Sequence, residues 1–288
     1  MNTAVSIRNA IILLRFPFSI FLLPVSLFSI LFISADAPGE IVLMLCIWHL
    51  LVFPSSNGYN GFHDRDNGPV GGLEAPPLPS AMLLHFCNVM DILALLFSVL
   101  ISLQFLFFTT VYIIASRLYS NRKIRLKKYP LAAFLIVFIF QGAWIFIGNI
   151  TGIGNGNELS GPAIYGAIAS SFFIGSLYPI TQIYQHKEDE ADGVISMSML
   201  LGKKNTFVFS GFMFIVASLF IYLTFKYSSV SYNFLLFNIV MLPSVTFFLI
   251  WAIKSFKNPA NVNFRNTMIM VILSSCLINI YFLILLIQ

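Results

Sequence analysis

A bundle of nine transmembrane helices, all-α, with the N-terminus in the cytoplasm and the C-terminus outside, is the fold this sequence predicts. Three observations carry that expectation. Of 288 residues, 58% are hydrophobic and only 9% charged, with a mean hydropathy of +0.89, whereas a soluble domain carries about a quarter charged residues. That leaves too little polar surface for a water-soluble globule, which excludes a soluble enzyme, a disordered chain and a disulfide-stapled secreted module. The apolar residues fall in stretches of spanning length, and the basic residues fall almost entirely between alternate pairs of them.

The stretches lie at roughly 11–34, 41–57, 81–101, 104–120, 131–151, 162–184, 205–225, 232–253 and 266–287, each near the ~20 residues that cross ~30 Å of hydrocarbon. The first follows Arg8 and ends beside Ala35-Asp36-Ala37, which resembles a signal cleavage site. Its apolar run exceeds the roughly 7–15 residues of a signal h-region, so it reads as a retained span. The third and fourth are cut from one stretch, 81–120, with no Lys or Arg before Arg117. It is too long for a single crossing and is divided near Ser102. Loops elsewhere are short, so residues 1–288 read as one transmembrane domain, with helices 1–4 and 5–8 as candidate parallel halves and helix 9 added.

Charge placement tests the count. The segments expected inside hold Arg8, Arg15, Arg65, Arg117, Arg122, Lys123, Arg125, Lys127, Lys128, Lys187, Lys203, Lys204, Lys254, Lys257 and Arg265, and those expected outside hold only Lys226. Such asymmetry is the positive-inside pattern. The net charge of +5 therefore reflects topology and contact with anionic headgroups of the cell (inner) membrane, not nucleic-acid binding. Cys46, Cys87 and Cys276 lie far apart in apolar stretches and give neither metal-ligand spacing nor a disulfide framework.

Seven of the 11 acids sit in two loops on the inner side. One follows helix 2 (Asn57-Gly-Tyr-Asn60-Gly-Phe-His63-Asp64-Arg65-Asp66, then Gly71-Gly72 and Glu74). The other follows helix 6 (Tyr184-Gln185-His186-Lys187-Glu188-Asp189-Glu190-Ala191-Asp192-Gly193). Asn60 and Asp64, four apart, share a helix face. Carboxylate and amide oxygens suit Mg²⁺, which takes one or two carboxylates and completes its shell with water and substrate phosphate. Asn60, Asp64, Asp66, Glu188, Asp189 and Asp192 are the candidate metal ligands, and two ions held between the loops would grip a diphosphate.

At these residues the chain resembles the UbiA superfamily of intramembrane prenyltransferases. Asn60-x-x-x-Asp64 matches the first half of the family's Asn-x-x-x-Asp-x-x-x-Asp element. Asp189-x-x-x-Gly193, with Ser196, Ser198 and Leu201-Gly202, matches the end of its Asp-x-x-x-Asp element. Arg15-Phe-Pro17 is similar to the early Arg/Pro element, and Tyr119-Ser120 with the bases after it to the helix 4–5 loop. Two acids of the pattern are replaced: position 68 is Gly68, with Asp66 two residues early, and position 185 is Gln185, with Glu188 and Asp192 close by.

The resemblance implies Mg²⁺-dependent transfer of an isoprenyl group from an isoprenyl diphosphate to a lipophilic, aromatic or quinone-precursor acceptor. It makes Asp64 and Asp189 the central acids, with Asn60, Arg65, Arg15, Tyr119, Arg125, Lys128, Gln185 and His186 toward substrate and Lys123 or Lys127 as further bases. Phe-rich helices would shield an allylic cation. Asp91, the one acid inside a span, is a third catalytic candidate, since intramembrane acids default to function; a hydrogen-bonded structural role fits it equally. His49 and His85 read as packing histidines; for His63 and His186, which sit within the two motifs, proton transfer or acceptor contact is the weaker of the two readings. Asn149, Asn155, Gly152 and Gly154 read as a turn at the opposite face. Two alternatives stay open: a terpene cyclase of the same superfamily, which ionises the diphosphate without an acceptor, and a membrane transporter or lipid-binding protein. Transporter sites usually lie near the bilayer midplane, unlike these acid clusters.

Overall fold

Hydrocarbon offers no hydrogen bonds, so a chain this apolar must satisfy its backbone within helices. The computed structural model, which describes residues 3–33, 36–153, 159–228 and 234–288, is accordingly all-helical among those residues. Its helices are α1 (Thr3–Leu14), α2 (Leu23–Ile30), α3 (Pro38–Asp64), α4 (Ala81–Ile101), α5 (Leu103–Ser120), α6 (Pro130–Gly152), α7 (Gly161–Gln182), the short α8 (His186–Ala191) and α9 (Met197–Leu201), α10 (Lys203–Lys226), α11 (Phe234–Lys257) and α12 (Phe264–Ile287).

Eight helices among the described residues are long and apolar enough to cross a membrane: Thr3–Phe21, α3, α4, α6, α7, α10, α11 and α12. The expected span at 104–120 is the 18-residue α5, which Gln104, Thr109, Thr110, Ser116 and Arg117 make less apolar than the others. The division near Ser102 is a real break. Ser102 is extended (φ −169°, ψ 162°), its Oγ accepts from the Phe105 N–H (3.0 Å), and it donates to the Gly152 carbonyl (2.7 Å).

The first span departs from the single helix expected at 11–34. α1 ends at Leu14, Arg15 turns left-handed (φ 50°), and Phe16–Phe21 continues as a 3₁₀ segment before α2. Pro17 has no N–H to donate back along the helix, which explains the interruption. α3 and α6 each carry a π-helical segment, Ile47–Val52 and Ile139–Trp144.

Aromatic side chains knit the helices. Phe28 stacks on Phe282 (4.6 Å) and meets Phe146 edge-on (5.0 Å), while Trp48 of α3 meets Phe105 of α5 edge-on (5.8 Å). Asn149 does not form a turn: it is fully buried in α6, accepts from Trp48 Nε1 (2.8 Å) and donates to Ser29 Oγ (2.9 Å), so its amide joins three helices. Asn155 and Gly154 lie outside the described residues. His49 is a packing histidine within hydrogen-bonding distance of Ser26 Oγ (3.2 Å) and the Ser19 carbonyl (3.0 Å). His85, by contrast, is exposed on the outer face of α4, because its side chain points away from the bundle.

Candidate active site

The first acidic motif is not a loop. α3 runs on to Asp64, so Asn57, Asn60 and Asp64 project from one face of its last turns, and Arg65, left-handed at φ 54°, ends the helix. Beyond α7, Ile183 to Gln185 turn the chain into α8, which carries Glu188 and Asp189; Gly193 (φ 67°) then permits the turn toward Ser196. Both segments border one cavity of about 490 Å³.

At its polar end the cavity is lined by Asn60, Asp64, Arg65, Asp66, Gln185, Glu188, Asp189 and Asp192, with Arg15, Tyr119 and Lys127 beside them. Its other end is apolar, walled by Tyr112, Ile136, Val137, Phe140, Ile174 and Leu177. The structure thus brings the two sequence-predicted acid groups to opposite walls of one chamber.

Each polar group has a defined setting. The Lys127 ammonium pairs with Asp64, whose side chain is 5% exposed. Asn60 Oδ1 accepts from Ser120 Oγ (2.9 Å). Gln185 Nε2 donates to the Pro69 carbonyl (3.2 Å). Arg15 is buried and donates to the carbonyls of Gly71 (3.3 Å) and Asn57 (3.2 Å), holding the break after α1 against the end of α3. The Tyr119 and Tyr178 hydroxyls share a hydrogen bond (2.7 Å). Burial, reinforced by the charge of Asp64, pushes the Asp66 carboxyl up to about 6. Burial likewise raises Asp189 to about 6, against the opposing pull of Lys127 and the Ser196 hydroxyl. Two buried carboxyls at the polar end are therefore easier to protonate than ordinary ones, chiefly because burial disfavours their charge.

Other candidates are placed elsewhere. Asp91 does not line the cavity: its carboxylate takes Arg117 Nε (2.9 Å) and Ser55 Oγ (2.6 Å), and Arg117 lies over the Tyr59 ring (3.9 Å). Asp192 borders the chamber, but its carboxylate pairs with Arg125 and, at 3.4 Å, Arg122. Arg125 is thereby spent on Asp192. Lys128 sits over Tyr129 (4.9 Å) outside the chamber. His186, also outside, is within hydrogen-bonding distance of Ser198 Oγ (2.8 Å).

The sequence reading passed over Tyr178 and Gln182, which line the chamber. The spacing 178, 182, 185, 189 repeats a helical face and was the available signal. Asn57 extends the Asn60–Asp64 face by one turn in the same way.

Among the described residues, no three His, Cys, Asp or Glu side chains are gathered closely enough to hold a metal ion by themselves. The donor set nevertheless suits Mg²⁺. Oxygen ligands stand on both walls in ones and twos, and an ammonium already sits against Asp64 where a cation is favoured.

The family model described as UbiA prenyltransferase family matches residues 21–282. No protein of curated function matches the sequence. Among solved structures, the chain is similar to a UbiA homolog from Archaeoglobus fulgidus bound to GPP and Mg²⁺, at TM-score 0.72 and 17% identity over 97% of this chain and 100% of that one. The same homolog bound to DMAPP and Mg²⁺ gives TM-score 0.72 and 18% identity over 96% and 98%. A digeranylgeranylglyceryl phosphate synthase gives TM-score 0.62 and 19% identity over 98% of each chain.

Proposed function

Because the chain belongs to the UbiA prenyltransferase family, we propose that it transfers an isoprenyl group from an isoprenyl diphosphate to a lipophilic acceptor, aromatic or quinone-precursor in kind, inside the cell membrane. The observation that carries this reading is the meeting of Asp64, Asp66, Glu188, Asp189 and Lys127 at one end of a chamber whose other end is apolar. An amphipathic donor needs such a gradient. The similar structures that hold GPP or DMAPP with Mg²⁺ support it.

Asn60, Asp64 and Asp66 from α3 and the turn after it, with Glu188 and Asp189 from α8, would hold Mg²⁺. When bound, the metal neutralises the charge of the departing diphosphate. The chain's own residues do the remaining work. Lys127, released from Asp64, offers its ammonium to a phosphate oxygen, and Arg65 adds positive charge at the rim. Arg15 fixes the segment carrying Gly71 against α3. As the C1–O bond breaks, its electron pair leaves with the diphosphate. Tyr112 and Phe140 then present ring faces to the allylic cation, while Ile136, Val137, Ile174 and Leu177 exclude water. An acceptor atom bonds C1 and passes its proton to the departed diphosphate. Arg122 donates to the Asp64 carbonyl (3.3 Å) and pairs with Asp192, so the basic loop after α5 ties both acidic segments together at the cytoplasmic mouth in this reading.

The test is incubation of detergent-purified protein with geranyl, farnesyl or geranylgeranyl diphosphate and Mg²⁺. Diphosphate release that EDTA abolishes, with a prenylated product only when an acceptor is supplied, is expected. Hydrocarbon formed without acceptor would favour the cyclase reading, and neither binding nor release would favour a transporter or lipid-binding role.

A further inference from the structure

A second cavity, of about 180 Å³, opens between α10 and α11, with α7, α12 and the Phe21–Phe28 segment behind it. Ile215 and Leu249, 67% and 54% exposed, stand at its rim on the outer surface of the bundle, so its mouth faces the bilayer. Phe214 and Phe248 flank it. Phe21, Ile174 and Leu177 line both this cleft and the chamber of the acids, so one layer of side chains separates them.

Its lining is apolar except for serines. Four of these are satisfied: Ser244 and Ser274 bond each other (2.7 Å), and Ser170 and Ser176 donate to the Gly166 (2.9 Å) and Phe173 (2.7 Å) carbonyls. Ser210 and Ser275 are not. They are 2% and 1% exposed, and their hydroxyls have no hydrogen-bond partner. An unpartnered hydroxyl in a dry, apolar site is costly, and here two border one cavity. A hydroxyl both donates and accepts, so it matches a carbonyl or another hydroxyl. A cavity of about 150 Å³ holds a benzene ring, and this one is slightly larger.

We infer that this cleft binds the oxygen-bearing ring of the lipophilic acceptor, which reaches it sideways from the bilayer and is held by Ser210 and Ser275 next to the chamber. This rests on the prenyl-transfer reading, and the experiment separates the two.

Full-length protein in mixed detergent–lipid micelles is photolabelled with a diazirine-bearing 1,4-naphthoquinone, and binding of radiolabelled geranyl diphosphate with Mg²⁺ is measured on the same preparation. Label is expected in the peptides around residues 210–215 and 245–249, competed by excess 1,4-naphthoquinone and not by phosphatidylglycerol. The near-isosteric pair Ser210→Ala with Ser275→Ala should lower labelling about tenfold, the scale of losing hydrogen bonds to a buried ligand. Ser275→Phe should abolish it, with geranyl diphosphate binding within twofold of the parent. Undiminished labelling in the double-alanine variant overturns the inference. So does equal competition by phosphatidylglycerol, which would make the cleft an ordinary lipid site. Loss of geranyl diphosphate binding in a monodisperse Ser275→Phe also overturns it, by giving the cleft to the donor's chain. If the parent protein labels as expected yet binds no geranyl diphosphate, the transfer reading fails and the ring site stands.

Discussion

Gly68 stands against Glu188: a β-carbon at residue 68 would come 2.5 Å from Glu188 Oε1. Position 68 is where the resemblance places the family's third acid, and the Glu188 carboxylate from α8 stands where a side chain at 68 would project. Gly68→Asp alone should crowd Glu188 and set two like charges together, lowering Mg²⁺-dependent diphosphate release at least tenfold. Adding Glu188→Ala to Gly68→Asp should bring the rate back to within a few-fold of the parent. A double-mutant cycle on release rates measures the coupling, expected at about 1–3 kcal/mol for residues in contact.

Asp64→Asn and Asp189→Asn each keep the side chain's volume and remove its charge. Each should lower diphosphate release by about a hundredfold or more, the scale on which preorganised electrostatic groups act, while gel filtration in detergent remains monodisperse. Near-parental rates in both would remove these residues from the site.

Lys127 has two opposing effects. Its ammonium neutralises Asp64 and so competes with a metal, yet it is placed to meet phosphate. Lys127→Met should tighten Mg²⁺ binding several-fold without diphosphate and weaken diphosphate binding several-fold with Mg²⁺ present. Calorimetric titrations of each ligand would show whether the two effects have opposite signs.

The raised carboxyls give a pH signature. Asp66 and Asp189 titrate near 6 in the folded protein against an ordinary 3.8. Between those values the folded chain holds more protons than the unfolded one, so their contribution to stability is full below about pH 4 and is lost as pH rises through 6. Metal-free protein should therefore melt at a lower temperature at pH 7.5 than at pH 5. Stabilisation by Mg²⁺ with inorganic pyrophosphate should be larger at pH 7.5, where the carboxylates are ionised. Thermal unfolding in detergent at the two pH values is the measurement.

Asp91 predicts the opposite behaviour from Asp64. Asp91→Ala would leave Arg117 partly buried (19% exposed) with its ion-pair partner gone. Stranding such a charge costs about 3–5 kcal/mol. A large fall in melting temperature is expected, with an unchanged KM for the diphosphate in whatever folded fraction survives.

The fold was legible because its signals are long: twenty-residue apolar runs read directly as helices, and the division near Ser102 was found from run length alone. The candidate site was legible where one helix face carries it, as with Asn60 and Asp64. It was not legible where partners arrive from distant segments. No local spacing says that Arg117 would claim Asp91, that Arg125 would claim Asp192, or that Lys127 and not Lys128 would reach Asp64, because bases adjacent in sequence differ only in the direction the loop after α5 turns them. Asn149 was misread because glycines beside it resemble a turn, while its partners, Trp48 and Ser29, lie about a hundred residues away.

The π-helical segment Ile47–Val52 sits upstream of every α3 residue that faces the chamber. Such a segment amounts to one inserted residue, and each residue of an α-helix turns by about 100°. Excising a single amino acid there would restore ordinary helical winding and leave Asn57, Asn60 and Asp64 facing the chamber, because the wide turn already absorbs the extra residue. Excising one between Val52 and Asn57, where the winding is ordinary, would swing all three together off the chamber. The phase of this one helix, more than the identity of any acid on it, decides whether the carboxylates share a room.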